Sequence, residues 1–278
     1  LGDINDLERL NRAFEDIDIV FHAAALKHVP KIEYNPFEAI KTNVIGSQNV
    51  IDACLHADVE RAIAIGTDKA VSPLNTYGAT KLLMEKLFVT ANNYTNPIKH
   101  RTKFIAFRYG NVLGSSGSVI PIFIDQIKQK QKVTITDPEM TRFSITMDEA
   151  LDFILNATTY GKGSEIFVPK MRSYNIMDVV NSLQNLIGNY GQEVVGIRPG
   201  EKLHEVLINE DEIRHTWEYN GMYVVTNPHY TKFHGKEMQE NYNGITKLVD
   251  LDNYSSAYSE KISNKEFEIM IKNSGLIN

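Results

Sequence analysis

Gly66-Thr67-Asp68-Lys69 sets a hydroxyl, a carboxyl group and an amine side by side directly after a short apolar run, 61–65. Where such a run is a strand of a parallel sheet, its carboxyl end opens on the crevice in which ligands bind. A protonated Asp68 there could donate to a leaving hydroxyl, and a neutral Lys69 could take an activated proton. A polar turn that only caps the next helix accounts for the same residues equally well. Ten residues after Thr67, Tyr77-Gly78-Ala79-Thr80-Lys81 adds a second pair. Residues four apart share a helix face, so the Lys81 ammonium can favour the Tyr77 phenolate and turn a weak acid into a usable base. A lone Tyr-x-x-x-Lys arises often by chance. Its weight here comes from its place at the head of the helix that follows the strand leading into Thr67.

The elements that would hold these groups can be read from hydrophobic periodicity. The run 17–24 suits a buried strand, and 36–57 carries Phe37, Ile40, Val44, Val50, Ile51 and Leu55 at helical spacing. The same order recurs at 61–66 and 77–92, and again at 103–108 and 119–130. Alternating strands and helices predict a parallel sheet. The fold expected is therefore α/β, a doubly wound parallel sheet of Rossmann-like type over 1–110, joined to a second, smaller α/β substrate domain over 111–278. In that second part the pattern predicts strands at 133–136, 165–168, 194–197 and 222–226, with helices at 147–159, 175–187 and 264–272. There are no internal repeats or low-complexity stretches.

Thr67, Tyr77 and Lys81 resemble the active site of the short-chain dehydrogenase/reductase superfamily, in which a Ser or Thr, a Tyr and a Lys occur in this order beside a nicotinamide. Further stretches resemble its extended, nucleotide-sugar branch: His22-Ala23-Ala24-Ala25, Gly2-Asp3-Ile4 and Asn43. Taken alone, His22 and the alanines read as packing at a strand end. The resemblance implies that Asp3 and Ile4 meet an adenine, that Ala24, Ala25 and Asn43 line the cofactor, that Lys27 approaches a phosphate, and that Tyr77 and Lys81 serve cofactor and catalysis together. The Thr67-Asp68-Lys69 turn is similar to that of UDP-N-acetylglucosamine 4,6-dehydratases. The likeness continues through Ala24-Ala25-Leu26-Lys27-His28-Val29-Pro30, Tyr34-Asn35-Pro36, Arg108-Tyr109-Gly110-Asn111-Val112 and Arg198-Pro199-Gly200-Glu201-Lys202-Leu203-His204-Glu205.

The family activity implied is removal of water from UDP-N-acetylglucosamine at C4, C5 and C6, with inversion at C5. It uses NADP, or alternatively NAD, and serves a pseudaminic-acid-type, capsular or flagellar glycan. The resemblance implies Thr67, Asp68, Lys69, Tyr77 and Lys81 as catalytic residues. It also places Asn111 and Arg142 on the substrate diphosphate, Arg198 on a phosphate and Glu201 on the ribose hydroxyls, with Ser115 to Ser118 lining the same cleft. Alone, Arg142 or Arg198 reads as a surface salt bridge. The partners implied are a UDP-sugar and a second copy of the chain in a homo-oligomer. A Gly-rich phosphate loop with its strand and helix would precede Gly2, and the chain has no initiator Met, so it reads as N-terminally truncated with the first βαβ unit missing. Two other readings stay open: a dehydratase that retains the C5 configuration, and a catalytically silent remnant that binds UDP-sugar.

Composition narrows the field further. The 278 residues carry 29 Lys+Arg against 35 Asp+Glu, a net charge of -6, so no overall positive field draws the protein to nucleic acid or anionic lipid. No apolar run reaches the roughly 18 residues that a membrane-spanning helix needs. The single Cys54, among apolar neighbours, cannot form an internal disulfide and suits a reducing, cytoplasmic setting. The eight His show no pair three or four apart, which leaves a metal site without support. No Gly-x-Ser-x-Gly elbow suggests a serine hydrolase.

Overall fold

The computed structural model describes residues 1–93, 95, 99–115, 117–249 and 251–277. They form two compact units. The first comprises Leu1–Arg108, Phe153–Lys170 and Leu207–Asn253; the second comprises Tyr109–Asp152, Met171–Val206 and Tyr254–Asn278. The chain thus passes between the units several times, and they are not the continuous stretches 1–110 and 111–278. The sheet explains the return of the two later segments, because it continues past the strand at 103–107 only by recruiting strands from beyond residue 165.

In the first unit, Ile19–His22, Arg61–Ile65, Lys103–Phe107 and Ile166–Pro169 lie side by side and parallel. Met222–Val225, Thr216–Tyr219 and Thr246–Lys247 extend the same sheet antiparallel. Ala62, Ile63, Ala64, Phe104, Ile105 and Ala106 are all fully buried, so these central strands carry apolar side chains on both faces, as parallel strands covered on both sides must. The outermost strand differs. Val20 and His22 are buried while Ile19 and Phe21 are exposed, so only one of its faces is covered.

The helix expected over 36–57 is interrupted. Pro36–Ile40 and Gly46–His56 are α-helical, but Lys41–Ile45 between them is a π turn in which the Gly46 N–H reaches back five residues to the Lys41 carbonyl. A side chain on Gly46 would meet Ile4 Cδ1 at 2.7 Å, so the N-terminal loop packs directly on this turn. Cys54 is buried at 0% exposure, and burial pushes its thiol pKa up to about 12, which makes it an inert core residue.

The second unit holds a three-stranded sheet of Asn111–Val112, Thr141–Ile145 and Arg172–Asn175, and a parallel pair of Val133–Ile135 with Gln192–Val194. Helices Val119–Lys128, Ile176–Ile187 and Asn264–Asn273 close over one core built from Phe123, Tyr174, Leu183 and Phe267. The strand expected at 194–197 starts earlier, at Gln192, because Gly191 with φ +84° turns the chain into it and Gly196 with φ +90° turns the chain out. No helix among the described residues is long and apolar enough to cross a membrane.

Candidate active site

The strand Arg61–Ile65 ends against its neighbour: the Gly66 N–H donates to the Phe107 carbonyl at 2.7 Å. A Cβ on Gly66 would collide with that same carbonyl oxygen, so only glycine lets the chain turn here. Thr67, in extended conformation, then caps the short 3-10 turn Asp68–Ala70. Its hydroxyl donates to Asp68 Oδ1 at 2.8 Å, and the Lys69 ammonium reaches the same oxygen at 3.1 Å. Asp68 is 1% exposed. Its second oxygen, Oδ2, is buried and has no hydrogen-bond partner among the described residues. A buried carboxyl oxygen left in this way is costly unless a ligand completes it.

The helix Thr76–Ala91 is fixed at its start by two side chains. Asn75 accepts from the Gly78 N–H at 2.8 Å, and Glu33 accepts from the Thr76 N–H at 2.6 Å. Gly78 faces the Thr67 turn so closely that the Lys69 carbonyl occupies the space a Cβ would need. One residue without a side chain therefore lets the turn carrying Asp68 and Lys69 rest on the helix carrying Tyr77 and Lys81. Tyr77 is half-buried in the first helical turn. Lys81, one turn later, is buried; it donates to the Ile65 carbonyl at 2.6 Å and lies 3.1 Å from Met84 Sδ. Burial pulls the Lys81 pKa down to about 8, with Glu85 opposing the shift. The structure thus gathers Thr67, Asp68, Lys69, Tyr77 and Lys81 around the carboxyl end of one parallel strand.

Behind them runs a charged network that the sequence reading did not single out. Arg108, fully buried, spends all five N–H groups. Two go to Glu85 at 2.6 Å each, two to Glu212 at 2.8 and 2.7 Å, and one to the Leu207 carbonyl at 3.0 Å. Glu85 follows Lys81 by one turn between the buried Met84 and Phe88. A carboxylate on the apolar face of a helix was the available signal. His22 stacks on Phe88 with ring centroids 5.6 Å apart and bonds Ser47 Oγ at 2.8 Å. Burial, helped by the Lys81 charge, lowers the His22 pKa to about 4.

Among the residues expected at a cofactor, Asn43 is the most constrained. Its carbonyl oxygen accepts from the Leu26 N–H at 2.7 Å, and its amide donates to the Leu26 carbonyl at 2.9 Å and to Thr80 Oγ1 at 3.0 Å. It ties the loop after the first strand to the Tyr77 helix. That loop presents Ala24 and Lys27 to solvent and Ala25 half-buried, so small side chains line the strand end. Asp3 is exposed and accepts from the Asn5 N–H at 2.9 Å, while the Ile4 carbonyl accepts from Asn49 at 3.0 Å. The small-residue strand end and the buried Lys81 beside the strand end are compatible with a nicotinamide dinucleotide at these strand ends.

The residues expected at the diphosphate belong to the second unit and differ among themselves. Arg142 is mostly buried and largely committed: it donates to the Thr141 carbonyl at 2.7 Å and the Leu203 carbonyl at 3.1 Å, with Glu205 at 3.6 Å. Arg198 is 69% exposed and lies 3.9 Å from Glu201. A turn holds that pair, since the Glu201 N–H bonds the Arg198 carbonyl at 3.1 Å with Pro199 next and Gly200 at φ +80°. Glu201 Oε2 is buried without a partner among the described residues. Asn111 lies half-exposed in a short strand. Ser115 and Ser118 flank Gly117 at φ +75°, and Ser116 lies outside the described residues.

A parallel sheet with a Thr-Asp-Lys turn at one strand's carboxyl end and a Tyr-x-x-x-Lys helix beside it defines an α/β protein of the short-chain dehydrogenase/reductase type, in its epimerase and dehydratase form. The chain belongs to the polysaccharide biosynthesis protein family, whose sequence model matches residues 1–227. It is 48% identical over 227 residues to a UDP-N-acetylglucosamine 4,6-dehydratase (inverting) of Campylobacter jejuni, covering 81% of this chain and 66% of that one. The chain therefore spans about two thirds of that relative's length. A UDP-glucose 4-epimerase of Rickettsia felis is 36% identical over 274 residues, covering 98% of this chain and 79% of that one. The crystal structure of Pen from Bacillus thuringiensis superposes with a TM-score of 0.87 at 37% identity, covering all of this chain and 81% of that chain.

Proposed function

We propose that this protein is a UDP-N-acetylglucosamine 4,6-dehydratase that inverts C5, feeding a capsular or flagellar glycan of the pseudaminic-acid type. The observation that supports this reading is the buried Asp68 oxygen without a hydrogen-bond partner among the described residues, beside Lys69 and on a turn packed against the Tyr77 helix. A 4-epimerase needs a base at C4 but no acid for a leaving hydroxyl, whereas loss of water at C5 and C6 needs both an acid and a second base. Similarity to the Campylobacter enzyme supports the same choice.

In this reading Tyr77 takes the proton of the C4 hydroxyl, with Lys81 favouring the phenolate and Thr67 orienting the hydroxyl. A nicotinamide dinucleotide, NADP by family resemblance and otherwise NAD, would when bound by Ala24, Ala25, Asn43 and Lys81 supply the chemistry of accepting a hydride from C4 and giving one back at C6. The C4 carbonyl acidifies the C5 proton, which neutral Lys69 removes. Asp68 gives its proton to the departing C6 hydroxyl, so water leaves and the C5–C6 double bond forms. A proton from solvent returns to C5 on the opposite face and inverts that centre, while protonated Lys69 passes its proton to Asp68, 3.1 Å away, and Tyr77 releases its own to solvent. On the substrate side, Arg142, Arg198 and Asn111 hold the diphosphate and Glu201 the ribose. Large apolar side chains exposed on neighbouring helices, Tyr34, Phe37 and Leu83, support a homo-oligomer.

The test is proton NMR of the full-length protein with UDP-N-acetylglucosamine in deuterated buffer. The expected product is a 4-keto-6-deoxy sugar whose methyl signal has lost its coupling to the C5 proton, because deuterium stands there, and whose C5 configuration, read from nuclear Overhauser contacts of the C5 proton in a parallel sample in ordinary water, is inverted. A C4-epimerised hexosamine without a methyl signal would assign the chain to the epimerases, and an uninverted C5 to the retaining dehydratases. Lys69→Ala should stop C5 exchange while C4 oxidation remains visible as reduced cofactor absorbance, and Tyr77→Phe should suppress both.

A further inference from the structure

Lys81 and Glu85 stand four residues apart on the helix Thr76–Ala91 and so share one of its faces. Side chains on a helix lean back towards its N-terminus, which aims Glu85 at Lys81. Both are buried, at 3% and 0% exposure. A buried ammonium and a buried carboxylate in that relation should close an ion pair, since each is costly in an apolar interior without one. They make none among the described residues. The Glu85 carboxylate is engaged elsewhere: Arg108 Nε donates to its Oε2 and Nη2 to its Oε1, each at 2.6 Å. A planar fork that takes both oxygens fixes the plane of the carboxylate, so it is not free to turn towards a second cation. The same guanidinium is tethered by Glu212 and by the Leu207 carbonyl, so it cannot follow Glu85 towards Lys81. The Lys81 ammonium donates instead to the Ile65 carbonyl at 2.6 Å, at the end of the strand that leads into the Thr67 turn.

We propose that Arg108 is a positioning residue for Lys81: by taking both oxygens of Glu85 it keeps that carboxylate from capturing the Lys81 ammonium, which stays at the Ile65 carbonyl, one helical turn from Tyr77. Capture by Glu85 would draw the ammonium towards the C-terminal end of the helix and cancel its charge where a phenolate needs it. The Lys81 pKa of about 8 agrees with an ammonium whose nearest carboxylate is already neutralised by another cation. The neighbouring elements offer no substitute counter-charge. His22 feels the Lys81 charge and is neutral above its own pKa of about 4, and Asp68, on the turn that rests on Gly78, is paired with Lys69. What this arrangement does for Tyr77 rests on the reaction proposed above; the placing and charge of Lys81 do not.

The experiment is a pH titration of Lys81 by carbon NMR in the full-length protein labelled at lysine Cε, with the signal assigned by its loss in Lys81→Arg. The parent should show a midpoint near 8. Arg108→Lys keeps the charge but replaces the fork with one ammonium that cannot hold both oxygens in a plane. Glu85 is then free to turn, and the Lys81 midpoint should rise to about 9 or above. In Arg108→Lys/Glu85→Gln no carboxylate remains to capture it, and the rise should vanish. Glu85→Gln alone leaves Arg108 in place and decides the matter if Arg108→Lys does not fold. Its midpoint should stay above about 7, because the charge removed was already neutralised. With UDP-N-acetylglucosamine, the acid limb of kcat in Arg108→Lys should move to higher pH while KM changes by less than about twofold; a loss of packing alone would lower kcat evenly across the pH range. A Lys81 midpoint still near 8 in Arg108→Lys, a rise that survives in the double variant, or a midpoint below about 7 in Glu85→Gln would overturn the proposal. Titrations as expected without any conversion of the sugar would remove the proposed reaction and leave the hold of Arg108 on Glu85 standing.

Discussion

The turn and helix of the first unit and the Arg198–Glu201 turn of the second carry their charges in opposite ways. Asp68 and Lys81 are buried and already oriented by the Thr67 hydroxyl, the Lys69 ammonium and the Ile65 carbonyl. Behind them Arg108 is locked by two carboxylates. Arg198 is 69% exposed and lies 3.9 Å from Glu201. The first arrangement has met its desolvation cost during folding, so its groups need little rearrangement when a reaction demands charge. The second can be recruited by a ligand without destabilising the fold. Arg142, bonded to two carbonyls yet beside Glu205, stands between the two cases.

This contrast can be broken or sharpened by measurement. Arg108→Met leaves the buried Glu85 and the part-buried Glu212 without their cation, and urea unfolding should show a loss of about 3–5 kcal/mol. A loss below about 1 kcal/mol, the worth of a surface pair, would erase the distinction. Next comes His22, whose folded pKa of about 4 lies below the ordinary 6.5. The unfolded chain takes up that proton first, so the contribution is complete above pH 6.5 and declines as pH falls towards 4. It amounts to about 3 kcal/mol, and His22→Gln should flatten the stability profile in that window. Lys81 has the same sign in a higher window: stability should rise with pH from about 8 towards 10.5.

Gly78→Ala forces a methyl group against the Lys69 carbonyl and should cost about 1–3 kcal/mol in chemical unfolding. Exchange of the substrate C5 proton should fall by more than that loss of stability explains, because Lys69 moves with its carbonyl. The smallest effect is expected for Arg198→Ala, within about 0.5 kcal/mol in unfolding. UDP affinity by calorimetry should nevertheless drop severalfold. Unchanged affinity would remove Arg198 from the ligand site.

How much of this was legible in the sequence follows from how local each cause is. The strand Arg61–Ile65, the turn after it and the helix Thr76–Ala91 were readable because an apolar run, a polar turn and a capped helix are adjacent in the chain. The Arg108 triad was not, since its partners lie 23 and 104 residues away, and only Glu85, on the apolar face of its helix, stands apart from a surface charge. Thr216–Tyr219 alternates polar and aromatic residues but over only four positions, and Thr246–Lys247 is two residues long, too short to show a period; the sheet offers both of them a neighbour to pair with. The interleaving of the units escaped for the same reason. Membership of a sheet is decided by pairing across long separations, which residue order does not record. Asn43 came into view through a motif, but its ties to Leu26 and Thr80 required coordinates.

The π turn at Lys41–Ile45 has an evolutionary corollary. It holds one residue more than a regular helix of the same rise, so the extra residue is absorbed locally and the flanking helices keep the faces they bury. Excising a single residue there would heal the helix and leave Ser47, Val50, Ile51 and Cys54 in the interior. The same loss further along Gly46–His56 would turn those residues outward, by about 100° of helix phase. Gaps of one residue in an alignment of descendants should therefore collect at 41–45 and avoid the helix that follows.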